Sequence, residues 1–66
     1  MKYNYPDAII QLRVKLNVSQ TELAKLLGVS FSSINRWEKG KFSLTIIARE
    51  KLKELFKKNQ IELKEM

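Results

Sequence analysis

Residues 18–40 read VSQTELAKLLGVSFSSINRWEKG, and this stretch decides the fold. It predicts two short helices joined by a tight turn at Gly28. Ser19 stands where an N-cap belongs, and Glu22 follows three residues later. That is the spacing of a capping box: the Ser oxygen takes a free backbone N–H, and the Glu reaches back to the Ser N–H. Val18 and Leu23 flank the cap as a hydrophobic staple. The second helix repeats the device without the Glu, with Ser30 as N-cap and Val29 and Ile34 as staple. Gly28 and Gly40 are the two glycines of the chain. Both fall just past predicted helix ends, where a left-handed residue is wanted.

The spacing also assigns faces. Leu23, Ala24 and Leu27 share the inner face of the first helix, and the small Ala24 lets the second helix cross close by. Ile34 and Trp37, three apart, form the inner face of the second helix. The outer face is then Ser32, Ser33, Asn35 and Arg36, with Phe31 at the front end. A helical face of short polar side chains and one Arg, without an acid, suits the major groove of DNA.

These residues resemble the phage repressor and Cro type of helix-turn-helix, the xenobiotic-response-element (XRE) family. The matching residues are Ser19-Gln20-Thr21-Glu22-Leu23-Ala24, Leu27-Gly28-Val29-Ser30 and Ser33-Ile34-Asn35-Arg36-Trp37-Glu38-Lys39-Gly40. The resemblance runs from helix 1 into the start of helix 4. It implies an all-α fold of four to five helices, with the helix-turn-helix at residues 20–39 and a recognition helix at about residues 31–39. It also implies roles. Phe31, Ser32 and Arg36 match the positions that reach base edges. Arg36 suits the O6 and N7 of a guanine, Phe31 a thymine methyl, and Ser32 a base or a phosphate. An aromatic at position 31 could instead fold inward. Gln20 matches a residue that bonds a DNA phosphate at the positive end of its helix. Ser33, Asn35, Lys39 and Lys41 are read as backbone contacts, which hold register without reading sequence. Arg13 and Glu38 match the two ends of a structural ion pair that ties helix 1 to the end of helix 3. Trp37 is read as core.

Length and composition agree with this reading. Sixty-six residues make one small domain, and a core of that size is marginal without a covalent staple. The chain has no Cys and no His, which excludes the usual zinc sites. No metal, cofactor or small-molecule ligand is expected. No apolar run reaches signal-peptide or membrane length, so a cytoplasmic protein is the expectation. The net charge is +6, from 13 basic and 7 acidic residues, and the sequence pI is about 9.9. That balance favours a polyanionic partner, double-stranded DNA first.

Outward from the central stretch, residues 1–5 read as a loosely held arm in which Lys2 could touch a DNA backbone. Pro6 and Asp7 suit the first turn of helix 1. Its apolar stripe is Ile9, Leu12 and Leu16, widened by Ile10 and Val14, with Asn17 as C-cap. Ser43 is a reasonable N-cap for helix 4, predicted over Leu44 to Lys58. Ala48, Leu52, Leu55 and Phe56 face inward there, and Lys51, Lys57, Lys58, Glu50 and Glu54 form a solvated face. Leu44 stands where the family often has Pro. The domain is placed at residues 1–58 and a tail at 59–66. The tail, NQIELKEM, is too short for an independent helix. The alternation of Ile61 and Leu63 with Glu62 and Lys64 permits a strand on a partner in a homodimer, or the start of a longer chain.

Two function classes remain. One is a DNA-binding transcriptional regulator of prokaryotic or phage type. The other is a protein-interaction module of the antitoxin or co-activator kind on the same fold. An enzyme is not expected, because the chain lacks His, Cys, a nucleotide-binding glycine loop and a carboxylate pair.

Overall fold

The computed structural model describes residues 4–41 and 44–64. Four helices follow one another: α1 (Tyr5–Leu16), α2 (Gln20–Leu27), α3 (Phe31–Glu38) and α4 (Ile46–Lys58). Helix α3 packs on α1 and α2, and α4 closes the other side against α1 and α2.

Each helix starts on a side-chain cap. Asn4 accepts from the Asp7 N–H at 3.2 Å, and Ser30 accepts from the Ser33 N–H at 3.2 Å. Ser19 and Glu22 close the predicted capping box, at 3.1 Å and 3.0 Å in the two directions. The Ser19 N–H and hydroxyl hold the Glu22 carboxyl below its usual range. This contribution to stability is therefore present above the ordinary carboxylate pKa and is lost as pH falls through the lowered one. The cap of α4 differs from expectation. Thr45, not Ser43, accepts from the Ala48 N–H at 3.1 Å, and α4 begins at Ile46 rather than Leu44. Ser43 lies outside the described residues, and Leu44 packs against the core as part of the approach to the helix.

All four helices end in the same way. Asn17, Gly28, Gly40 and Gln60 are the described residues with positive φ, at 55°, 70°, 81° and 58°. Around each, the next N–H reaches back five residues and the residue's own N–H reaches back three. The long bonds are Val18 to Arg13, Val29 to Ala24, Lys41 to Arg36 and Ile61 to Phe56, all between 2.8 and 3.1 Å. This is the Schellman arrangement, which satisfies carbonyls that the helix end leaves open. Sequence reading finds three of these sites from Gly or Asn and misses Gln60, which carries no such signal.

The core is apolar throughout, with no buried polar or charged residue among the described ones. It comprises Tyr5, Ala8, Ile9 and Leu12 of α1, Leu23, Ala24 and Leu27 of α2, Ile34 and Trp37 of α3, Ala48, Leu52 and Phe56 of α4, and Ile61. Two expectations are corrected here. Residues 1–3 lie outside the described residues, but Tyr5 is no part of a loose arm. It opens α1, is buried, and sets its ring 6.4 Å from that of Phe56. Ile10 and Val14 do not widen the buried stripe. They are 40% and 75% exposed, because α3 and α4 both pack on the other side of α1.

The tail turns back onto its own domain. Gln60 reverses the chain, Ile61 is buried and Leu63 packs on the core. The Asn4 N–H then donates to the Lys64 carbonyl at 2.8 Å. Neither a strand nor a fifth helix forms in residues 61–64. The apolar alternation at Ile61 and Leu63 serves the chain's own core.

One ion pair joins α1 to α3. Arg13 Nε donates to Glu38 Oε2 at 2.6 Å and Nη2 to Oε1 at 2.9 Å, a two-pronged grip across 25 residues of sequence. The Glu38 side chain is only 8% exposed, against 25% for Arg13. The Glu38 hydrogen bond raises the Arg13 pKa above its ordinary value, so Arg13 keeps its charge in the pair.

Glu38→Ala leaves Arg13 half-buried without its partner and should cost roughly 2–4 kcal/mol in denaturant unfolding. Adding Arg13→Met should recover much of that loss, and strictly additive effects in the double-mutant cycle would argue against the coupling. At the tail, Ile61→Ala should cost about 2–4 kcal/mol. Gln60→Gly should raise stability by about 0.5–1 kcal/mol by relieving a left-handed non-glycine residue. A silent Ile61→Ala would mean that the tail does not dock in solution.

Candidate nucleic-acid interface

The candidate interface is built on α3. Ile34 and Trp37 turn into the core, and the 3.6-residue period then puts Phe31, Ser32 and Arg36 on the outside. All three are exposed. Phe31 is 50% exposed and does not fold inward. Lys39 and Lys41, in the turn after the helix, are also exposed. The Gly40 turn swings them out past the end of α3, and the Lys41 N–H is held by the Arg36 carbonyl at 2.9 Å. From residue 31 to 41 the exposed charges are Arg36, Lys39 and Lys41. The one acid of that stretch, Glu38, is half-buried and bound to Arg13.

Other candidate residues sit differently. Ser33 is half-buried at the helix start, where its hydroxyl lies 3.0 Å from that of its cap, Ser30. Gln20, at the first turn of α2, and Asn35, midway along α3, are also half-buried. The Gln20 amide donates to Glu38 Oε1 at 3.0 Å. Its carbonyl oxygen accepts from Asn35 Nδ2 at 3.4 Å. Four residues from three helices thus form one chain: Arg13, Glu38, Gln20 and Asn35. Sequence reading names all four but does not connect Gln20 or Asn35 to the ion pair. No spacing rule relates residues that meet only when α2 and α3 cross.

Beside α3 an open cleft runs to the start of α4. Val29, Ser33, Arg36, Trp37, Lys41, Thr45 and Ala48 line it. Thr45 is the residue here that sequence reading passed over. Its signal is the same as that of Ser43, a hydroxyl before an apolar run, but sequence reading settles on Ser43. The arrangement offers no group of acids, His or Cys for a metal among the described residues. Its chemistry is that of hydrogen-bond donors and fixed positive charge presented on a helix.

Comparison with known proteins follows the same line. The helix-turn-helix family model matches residues 9–66, which extends past α3 through α4 and the tail. A protein of Pyrococcus furiosus with the provisional name HTH-type transcriptional regulatory protein is 46% identical over 50 residues. Those residues are 76% of this chain but only 16% of that relative's length. No solved structure matches the chain. With the crossing of α2 and α3, the caps and the family match all in one register, the chain belongs to the XRE-type helix-turn-helix family.

Proposed function

We propose that this chain binds double-stranded DNA sequence-specifically, with α3 in the major groove, and acts as a transcriptional regulator or its DNA-binding module. The observation that carries the reading is the exposed side of α3. Phe31, Ser32 and Arg36 stand outward there, Lys39 and Lys41 follow, and the only acid is neutralised by Arg13. A free carboxylate on that surface would repel phosphates, whereas this one is already paired.

In this reading the residues divide by task. Arg36 grips the O6 and N7 of one guanine, Phe31 packs on a thymine methyl, and Ser32 bonds a base or a phosphate. Gln20 bonds a phosphate at the N-terminus of α2, where the helix dipole favours negative charge. Ser33, Asn35, Lys39 and Lys41 hold the backbone and so fix register. One recognition helix covers few bases, so the protein works as a homodimer on an inverted repeat. A location in the cytoplasm goes with this role. No helix among the described residues is long and apolar enough to cross a membrane.

The test is binding to matched and single-mismatch duplexes over a salt series, with the matched site selected from a random pool. Arg36→Ala should cost about 1–3 kcal/mol on the matched site and relax selection at one base pair. Lys41→Ala should weaken all sequences alike and reduce the magnitude of the salt slope by about 1. If Arg36→Ala weakens every duplex equally, Arg36 holds a phosphate and the specificity assignment is wrong. If neither change affects binding, α3 is not the reading element, and a protein-interaction module becomes the better reading.

The dimer makes a separate prediction. The selected site should be an inverted repeat with half-site centres about 10 base pairs apart. Sedimentation that shows only monomers, free and on DNA, would remove it.

A further inference from the structure

The Arg13–Glu38 pair looks sufficient as a tie between α1 and α3, yet Glu38 does more than bind Arg13. Its Oε1 takes both Arg13 Nη2, at 2.9 Å, and Gln20 Nε2, at 3.0 Å. A carboxylate can only accept hydrogen bonds. The Gln20 amide must therefore turn its nitrogen toward Glu38 and its oxygen the other way. That oxygen meets Asn35, which must answer with its own nitrogen, at 3.4 Å. One half-buried carboxylate thus sets the polarity of two neutral amides in sequence. Arg13 holds the carboxylate still by gripping both of its oxygens.

We propose that Glu38 is a positioning residue for DNA contact. It fixes the Gln20 amide so that its second N–H stays free for a phosphate, and through Gln20 it holds the Asn35 amide with its own second N–H free for the DNA backbone. Without Glu38 both amides are free to flip, and half of their orientations present the wrong group. The inference rests on the DNA-binding reading above and adds to it a source of orientation outside the contacting residues.

The charge sign makes the idea testable. Glu38→Gln keeps the shape of the side chain but can donate as well as accept, so the polarity of the relay is no longer imposed. The substitution also leaves Arg13 unpaired and adds one positive charge to a domain of net charge +6. If Glu38 had only a structural or electrostatic part, the folded variant should bind DNA as well as the wild type or better, with a steeper salt slope. Positioning predicts the opposite, a loss of about five- to tenfold on the duplex selected by the wild type, as expected for one misplaced hydrogen bond.

Binding is measured at a temperature where circular dichroism shows Glu38→Gln folded. The same change in a Gln20→Ala background should then cost nothing further in DNA affinity, although it still lowers stability. Gln20→Ala and Asn35→Ala should be non-additive in affinity. If Glu38→Gln does not fold, the Gln20/Asn35 cycle decides, since those half-buried polar residues contribute little to the core. Unchanged or tighter binding by folded Glu38→Gln, or an additive Gln20/Asn35 cycle, overturns the positioning role and leaves DNA binding standing. A wild-type protein that selects no duplex from the pool overturns both.

Discussion

The structure depends on a charge placed where helices cross. Glu38 stands at the last turn of α3, nearly out of solvent, and a carboxylate there is costly unless it is paired and fully hydrogen-bonded. Arg13 meets both of its oxygens, and Gln20 takes the remaining reach of one of them. The three donors come from α1 and α2, so this single acceptor joins three helices. Hydrophobic burial is not directional. Ile9, Leu12, Leu23 and Ile34 would tolerate α3 slightly rotated or slid. A two-pronged ion pair would not, and it therefore fixes the angle at which α3 presents its outer face.

The small size of the domain explains how its ends are finished. With 66 residues and no disulfide, four short helices cannot leave open backbone groups at eight ends without loss. Each start carries a side-chain oxygen, and each end a left-handed residue with a reach-back bond. The same turns aim the chain. Gly28 turns the chain between α2 and α3, which pack on each other. Gly40 projects Lys41 outward beside Arg36, and Gln60 sends Ile61 back under Phe56. Local backbone chemistry and the proposed contact surface are in this way one arrangement.

The tail completes the core. Ile61 and Leu63 fill the space between the start of α1 and the end of α4, and the Asn4–Lys64 bond closes the two ends of the described chain onto each other. Tyr5 is buried for the same reason, since it lies where Phe56 and the returning tail converge.

The central stretch by itself determined most of the fold. The Ser19 and Ser30 caps, the Gly28 and Gly40 turns, and the inner faces of α2 and α3 are local features with a fixed period, so spacing alone reveals them. The exposure of Phe31, Ser32 and Arg36 follows from that period once Ile34 and Trp37 are assigned inward. Arg13 and Glu38 were paired only by resemblance to a family, because 25 residues separate them and no local rule joins them. Tertiary structure decided the rest. Helical period says that Ile9 and Ile10 cannot both be central, but only the packing of α3 and α4 on α1 chose the side, leaving Ile10 and Val14 in solvent. Ser43 was read as the cap of α4, but the path of the chain into the helix places Thr45 there. Gln60 carries no turn signal, and its left-handed backbone is held by the docking of Ile61. The link from Glu38 through Gln20 to Asn35 exists only where three helices converge. A hydrogen-bond chain of that kind is a property of the crossing and is absent from the order of the residues.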